Sequence, residues 1–268
     1  MIESTIEKLE SLQLYGFVSA LREQFESVTY QDLPFEDRLS FLVEQEYLRK
    51  KNLKISRRLK LAQLRQPATI EQIEFKPSRG LNKSYILDLA NGNWVREHHN
   101  LIITGATGVG KSFIACALGD RLCKSGFSVR YVKTASFIQE LITARHDGSF
   151  KRLNAATKGV DVLILDEWMR DLLPIVETRE IFDLLDDRFR IASCIFVAQI
   201  PVVDWYKNIA DPTLSEAILD RVVYDSLRLE ITGDSMRKGT SSVQLQTPEM
   251  VLRESGSGMQ ADSVATLR

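Results

Sequence analysis

The sequence predicts an α/β fold, a five-stranded parallel sheet built around a phosphate-binding loop and preceded by a helical segment. Three observations carry this. Five short apolar runs, at residues 101–104, 128–132, 160–165, 194–198 and 227–231, alternate with helical stripes, which is the pattern of a parallel sheet covered on both faces. Directly after the first run, residues 105–112 read GATGVGKS, fitting G-x-x-x-x-G-K-[ST] in its strand–loop–helix context. Ahead of both, residues 2–26 and 34–64 carry helical spacing and no strand pattern.

In chain order, Leu14, Phe17, Val18, Leu21 and Phe25 mark one face of an amphipathic helix, or of two, within residues 2–26. Gly16 interrupts that run and weakens the case for unbroken helix. Asp32-Leu33-Pro34 then signals a second start, and the helix is expected to run to about Leu64, before Pro67. Its end carries Arg49, Lys50, Lys51, Lys54, Arg57, Arg58, Lys60 and Arg65 with no acidic residue among them. Leu53, Ile55, Leu59, Leu61 and Leu64 are expected to face a core. Such unneutralised positive charge favours phosphate-backbone binding, with Arg49, Lys50, Lys54, Arg57, Arg58 and Lys60 as candidates.

Residues 67–99 read as a connector, punctuated by Pro67, Pro77 and Gly80. Ile70, Ile73 and Phe75 suggest a packed extended piece, residues 81–90 a short helix, and Trp94 and Val95 packing near the first strand. Beyond the loop, Ile114, Ala117, Leu118 and Leu122 form one helical stripe, Phe137, Ile138, Leu141 and Ile142 a second, and Ile181, Leu184, Leu185 and Phe189 a third. Residues 239–268 are rich in Ser, Thr, Gln and Gly and read as a flexible tail.

The chemistry begins at the loop. Gly105, Gly108 and Gly110 permit close backbone approach, so that N–H groups can line a concavity for phosphate oxygens. Lys111 would reach the β- and γ-phosphates and the Ser112 hydroxyl would bind Mg²⁺. Fifty-five positions after Lys111, an apolar run ends in Asp166-Glu167. Asp166 suits a magnesium shell, since hard cations want oxygen ligands, and Glu167 suits a water-activating role. Phosphoryl transfer also needs a cation for the transition state. Arg179, Arg188, Arg190, Arg221 and Arg237 are all candidates, and the pattern does not choose between them.

Composition bounds the alternatives. The 268 residues carry a net charge of −1, with 44% hydrophobic and 26% charged residues, so any basic footprint is local. Cys116, Cys123 and Cys194 are too scattered for a zinc site or disulfide framework, and packing suits Cys116 and Cys123. No apolar run approaches the roughly 18 residues of a membrane span. No membrane is expected as a partner, and a cytoplasmic, reducing compartment is the expected setting.

The stretches GATGVGKSFIACALG, GFSVRYVKTASFIQELITARHDGSF, VDVLILDEW, ILDRVVYDSLRLEITGDSMRK and the leading KLESLQLYGFVSALREQ resemble the IstB family. These are AAA+ ATPases that assist the transposases of a class of bacterial insertion sequences and are related to the DnaC helicase loaders. The resemblance spans about residues 1–238. It implies a small all-helical N-terminal domain at 1–66, a connector at 67–99, an AAA+ ATPase domain at 100–238 with strand order 5-1-4-3-2, and a C-terminal tail at 239–268. It implies ATP and Mg²⁺ as cofactors, with Gly105, Thr107, Gly108, Val109, Gly110, Lys111, Ser112 and Phe113 around the nucleotide. It further implies double-stranded DNA, a transposase and other copies of the chain as partners, with ATP-dependent assembly delivering target DNA to the transposase. A replicative helicase loader of the DnaC type is the alternative. By the same resemblance Arg221 falls at the inter-subunit arginine finger, Arg237 at a second phosphate sensor or structural position, and Gln199 at the polar sensor ending the fourth strand. The chain departs from the family at Ala198, where a hydroxyl residue is usual, and at Met169, where glycine often follows the Trp168 position and a stiffer loop is therefore expected.

Overall fold

The computed structural model describes residues 2–30 and 32–236. Two short helices, α1 (Ile2–Ser11) and α2 (Tyr15–Glu26), lead into the long α3 (Phe35–Ala62). The break between the first two falls at Gln13, whose φ is +59°, and not at Gly16. Gly16 instead lies inside α2, where a Cβ would come within 2.9 Å of Glu46 Oε2 and 3.0 Å of the Gln45 carbonyl. The glycine thus lets α2 pack close against α3. Phe25 is exposed despite its place in the apolar pattern.

The connector holds α4 (Lys83–Asn91) and the single turn α5 (Asn93–Arg96). Asn82 caps α4 by accepting the Ser84 and Tyr85 amides. Trp94 and Val95 are buried, as are Ile70 and Ile73, though Ile70 begins a 3₁₀ turn and not an extended piece. Then follow β1 (Asn100–Gly105), α6 (Lys111–Lys124), β2 (Val129–Lys133), α7 (Thr134–Asp147), α8 (Phe150–Lys158), β3 (Val162–Trp168), α9 (Ile175–Arg188), β4 (Ser193–Ala198), α10 (Pro212–Val223) and β5 (Ser226–Ile231).

The strands form one sheet in the order β2-β3-β4-β1-β5, with every pairing parallel. Read from the other edge this is 5-1-4-3-2, the order of an AAA+ core. Alternate residues of each strand serve opposite faces. Leu101 and Ile103 join Ile164, Ile195 and Val197 under α6 and α4. Ile102 joins Leu163, Leu165 and Phe196 under α7, α9 and α10. Each fully buried Leu, Ile or Val contributes about 1.5–3 kcal/mol of transfer free energy, which is why strands this apolar sit between two helical layers.

The last turn of α3 belongs to the first of these cores. Ala62 is fully buried, and Leu59 and Leu64 pack beside it. Leu53 and Leu61, expected inside, are exposed at 54% and 64%. Leu53 lies beyond the stretch of α3 that packs on α2, between residues 38 and 49, and Leu61, next to buried Ala62, faces away from the core. The tail at 239–268 lies outside the described residues.

Candidate nucleotide site

The loop after β1 lies at the carboxyl end of the sheet, where open parallel sheets bind ligands. It frames a cleft of about 670 Å³ lined by Thr107, Gly108, Gly110, Lys111, Ser112, Phe113, Asp166, Glu167 and Gln199. That volume is ordinary for a small-molecule site. Gly105 has φ +147°, and a Cβ there would sit 2.2 Å from the Ile231 carbonyl of β5. Only glycine fits between the loop and its neighbouring strand. Gly110 has φ +96° and a Cβ would meet Arg79 Nη2 at 2.9 Å.

Lys111 is buried, and its ammonium donates to the carbonyls of Gly105 and Ala106 at 2.7 and 2.8 Å. It is therefore already directed into the loop, where phosphate oxygens can replace those carbonyls. The Thr107 hydroxyl donates to Gln199 Oε1 at 2.9 Å, so the glutamine at the end of β4 contacts the loop directly. Ala198 before it is fully buried and leaves Gln199 as the polar group there. Val109 is buried and works through its backbone, its carbonyl accepting from Arg79 Nη2 at 2.8 Å.

Asp166 and Glu167 end β3 beside the loop. The register with β4 shifts between Asp166 and Trp168, and Glu167 adopts φ +59°. This is a β-bulge. Without it Glu167 would face the opposite side of the sheet from Asp166. With it, both carboxylates line the cleft, and Trp168 turns into the second core against Phe196 and Trp205, at ring distances of 4.8 and 6.1 Å. Asp166 is 2% exposed. Its Oδ1 accepts the Glu167 amide at 2.8 Å, while its Oδ2 accepts from the Tyr131 hydroxyl and from Arg65 Nη1 at 3.4 Å. Burial, followed by the bond to Asp166, pushes the Tyr131 phenol well above its usual range and keeps it protonated. Glu167 pairs with Arg170, with Lys133 at 3.5 Å and with Arg65 at 3.8 Å.

The residues fit a magnesium–nucleotide ligand. One buried carboxylate, one serine hydroxyl and a lysine stand around a backbone concavity, which is what magnesium needs when phosphates supply the other oxygens. Among the described residues no group of three or more His, Cys, Asp or Glu is arranged to hold a metal by itself.

Five residues in this neighbourhood escape the sequence reading: Arg65, Arg79, Tyr131, Lys133 and Arg170. Arg65 belongs by sequence to the basic run, yet it turns into the cleft. Arg79 lies in the connector, 7% exposed, also donating to the Glu74 carbonyl at 2.7 Å, and burial pulls its pKa below the usual arginine value. Tyr131 was detectable in principle, since alternation along β2 gives it the same face as Ile164 and Asp166 on β3. Arg237 lies outside the described residues.

Arg221 stands elsewhere. It is on α10, whose following strand begins beside Asn100, and Asn100 Nδ2 donates to the Arg221 carbonyl at 3.1 Å. That is the amino end of β1, about 17 Å along the strand from the loop. Its Nε and Nη2 both lie 2.7 Å from Asp186 Oδ1, and its guanidinium covers the Phe182 ring at 4.6 Å. It does not reach the loop of its own chain.

Of the basic run, Lys54, Arg57 and Lys60 are exposed and Arg58 is half-buried. Arg49 is held by Glu46 at 2.7 Å and by the Gln13 carbonyl at 2.8 Å, with Lys50 3.6 Å from the same glutamate. One turn upstream of the run, Glu46 thus supplies the acid that the run itself lacks.

Comparison with known proteins agrees with this arrangement. An insertion-sequence ATP-binding protein of Sinorhizobium fredii is 35% identical over 234 residues, covering 87% of this chain and 96% of the relative. The insertion sequence IS1162 ATP-binding protein of Pseudomonas fluorescens is 36% identical over 202 residues, covering 75% and 87%. Among solved structures, the DnaC helicase loader matches with a TM-score of 0.54 at 18% identity, over 62% of this chain and 97% of that one. AMPPCP-bound DnaA from Aquifex aeolicus matches with a TM-score of 0.54 at 19% identity, over 71% and 60%. These two show a shared fold. The family model described as IstB-like ATP binding protein matches residues 7–244, and with the loop, the acidic pair and the sheet order in place, the chain belongs to that family of insertion-sequence ATPases.

Proposed function

We propose that this ATPase binds duplex DNA, assembles on it with other copies of itself in an ATP- and Mg²⁺-dependent way, and recruits or stimulates the transposase of its insertion sequence. The observation that supports this best is the separation of Arg221 from the loop of its own chain. An arginine at the far end of the sheet suits a nucleotide shared across a subunit boundary, where a cation supplied by a neighbour stabilises the transferring phosphoryl group. Lys111 and Ser112 would hold the triphosphate, and Glu167 would orient the attacking water. Magnesium on Ser112 and Asp166 would neutralise charge on the phosphates. Gln199, bonded to Thr107, is suited to report nucleotide state to β4. Arg237 remains a candidate second sensor.

The DNA contact is assigned to Lys54, Arg57 and Lys60, three exposed cations of α3, with Arg58 beside them. Arg49 and Lys50 contribute less, being occupied with Glu46. The proposed division places a helical domain at 1–66, the connector at 67–99, the ATPase at 100–238 and a tail at 239–268.

Two variants test the scheme. Glu167→Gln is expected to stop ATP hydrolysis while ATP-driven assembly on duplex DNA persists, followed by light scattering and particle imaging. A variant that hydrolyses normally removes Glu167 from its role. Neutralising Lys54, Arg57 and Lys60 together should flatten the dependence of log K on log salt by about 2–3, since each phosphate contact contributes about 0.9. An unchanged slope would move the DNA off α3. The fold likeness to a helicase loader supports a second reading, delivery of a helicase. Capture of the transposase and not the helicase, with both offered to the ATP-bound chain, decides between them.

A further inference from the structure

We propose that Arg65 is a positioning residue that couples the nucleotide cleft to helix α3, so that magnesium–triphosphate and duplex DNA alter each other's binding through it. The inference rests on reading the cleft as the ATP site and α3 as the DNA contact.

Three observations carry it. The first is where Arg65 points. By sequence it closes a run of cations, but its guanidinium lies 3.4 Å from Asp166 Oδ2 and 3.8 Å from Glu167 Oε1. It contacts both carboxylates of the acidic pair. The second is crowding at one buried carboxylate. Asp166 Oδ1 takes the Glu167 amide, and Oδ2 takes both Tyr131 and Arg65. A carboxylate oxygen offers about two lone-pair directions, so Oδ2 is saturated. A magnesium shell, which demands closely placed oxygens in strict geometry, draws on the same carboxylate. Two cations against one carboxylate also repel. Loading the cleft therefore weakens the hold of Asp166 on Arg65. A contact of 3.4 Å is long for a charged hydrogen bond, which suits a partner that must be exchanged.

The third observation is the connection to α3. Only Gln63, in the left-handed conformation at φ 49°, and Leu64 separate Arg65 from the helix. This joint is packed. Ala62 is fully buried, a Cβ on Gly119 of α6 would meet Leu64 Cδ2 at 2.9 Å, and Leu64 packs against the core that holds Ala62 and Cys116. A shift of Arg65 is thus felt at the end of α3 and not absorbed in a loose loop. Lys54 lies about 12 Å up the same helix from Ala62, with Arg57 and Lys60 between them. Helix, joint and guanidinium form one continuous piece from the DNA face to the carboxylates. Because binding free energies are linked, the coupling runs both ways: DNA on α3 changes triphosphate affinity by the factor with which triphosphate changes DNA affinity.

The test uses the full chain, a fluorescent blunt duplex and a non-hydrolysable ATP analogue with Mg²⁺. DNA affinity is measured with and without the analogue, and analogue affinity with and without DNA. The wild-type chain is expected to show a coupling factor of about fivefold or more, equal in both directions. Arg65→Gln should bring the factor to within about twofold of one, and Arg65→Lys, which keeps the charge, should restore part of it. A purely structural role would not be rescued by lysine in this way. An Arg65→Gln factor equal to wild type overturns the inference. So does a loss of DNA affinity of the same size in both nucleotide states, which would make Arg65 a plain DNA contact. If Arg65→Gln fails to fold, Arg65→Lys alone decides, a reduced factor supporting the inference and an unchanged one overturning it. A wild-type chain that binds both ligands with no coupling sinks the inference and the ATP-dependent assembly with it, whereas an Arg65→Gln chain coupled like wild type sinks the inference alone and leaves the proposed function standing. A chain that binds no duplex at all sinks both.

Discussion

Glu167 and Met169 flank Trp168 with φ of +59° and +52°, a region that costs a non-glycine residue about 1–2 kcal/mol. The two strained positions set the geometry of the cleft, because the bulge they form brings Glu167 to the same side as Asp166 and sends Trp168 inward. At Met169, where the family resemblance leads to an expectation of glycine, this chain accepts the strain and buries the methionine side chain to 2% exposure. Met169→Gly should therefore relieve about 1–2 kcal/mol of backbone strain but lose the larger packing term, about 2–5 kcal/mol for a buried methionine cut back to alanine or less. The expected balance is a net loss of up to about 4 kcal/mol in denaturant unfolding, with a looser loop after β3 seen as faster amide exchange. A stabilised Met169→Gly chain would mean that the side chain packs poorly.

At the scale of elements, Glu46 joins three helical pieces. Its Oε2 accepts the Gly16 and Phe17 amides at 2.6 and 3.2 Å, in the first turn of α2, where backbone donors lack helical partners. It also holds Arg49, which reaches back to Gln13 between α1 and α2. The Arg49 guanidinium, followed by the Phe17 and Gly16 amides, holds the Glu46 carboxyl at about 2, against about 4.5 for an ordinary glutamate. A carboxyl with a depressed folded pKa stabilises fully above its unfolded value and loses that stabilisation as pH falls through the folded one. The packing of α1, α2 and α3 should accordingly weaken as pH drops from about 4.5 towards 2. Glu46→Gln should cost about 1.5–3 kcal/mol at neutral pH, the scale of hydrogen bonds to a charged group, and should remove most of the acid sensitivity in that window. Unfolding curves across the pH range measure both, and a variant as acid-sensitive as wild type would refute the assignment.

For the whole molecule the decisive fact is that the loop and Arg221 occupy opposite ends of the sheet, with Arg221 stacked on Phe182 and tied to Asp186. If the site is shared between copies, Arg221→Ala should lower ATP turnover by about 10³-fold or more, the range of arginine fingers, while leaving ATP-analogue affinity nearly intact. Mixing Arg221→Ala with Glu167→Gln chains should then restore part of the turnover, because one boundary in the mixture combines an intact Glu167 with an intact Arg221. No recovery on mixing would place the catalytic cation within the same chain.

The sequence by itself determined the local and periodic features. Five apolar runs became five parallel strands, the glycine pattern placed the loop, and Pro34 and Pro67 bounded the long helix, since each depends on neighbouring residues and on spacing along one element. Helix α8 and the helix begun by Asp211-Pro212 were harder to see. The first is largely polar. The second carries a clear start signal, Asp211 accepting the Leu214 amide, ahead of a helix of only 12 residues. Only the tertiary structure decided which side chains meet across elements. It turned Arg65 from a surface cation into a partner of the acidic pair, buried Arg79 under the loop, added Tyr131 beside Asp166, and tied Arg49 to the Gln13 carbonyl. These contacts join residues from about thirty to one hundred positions apart, and composition and periodicity carry no term for such distant partners. The bulge at Glu167 belongs with them: the strand is legible from its apolar run, but the register shift that re-aims its last residues exists only against β4.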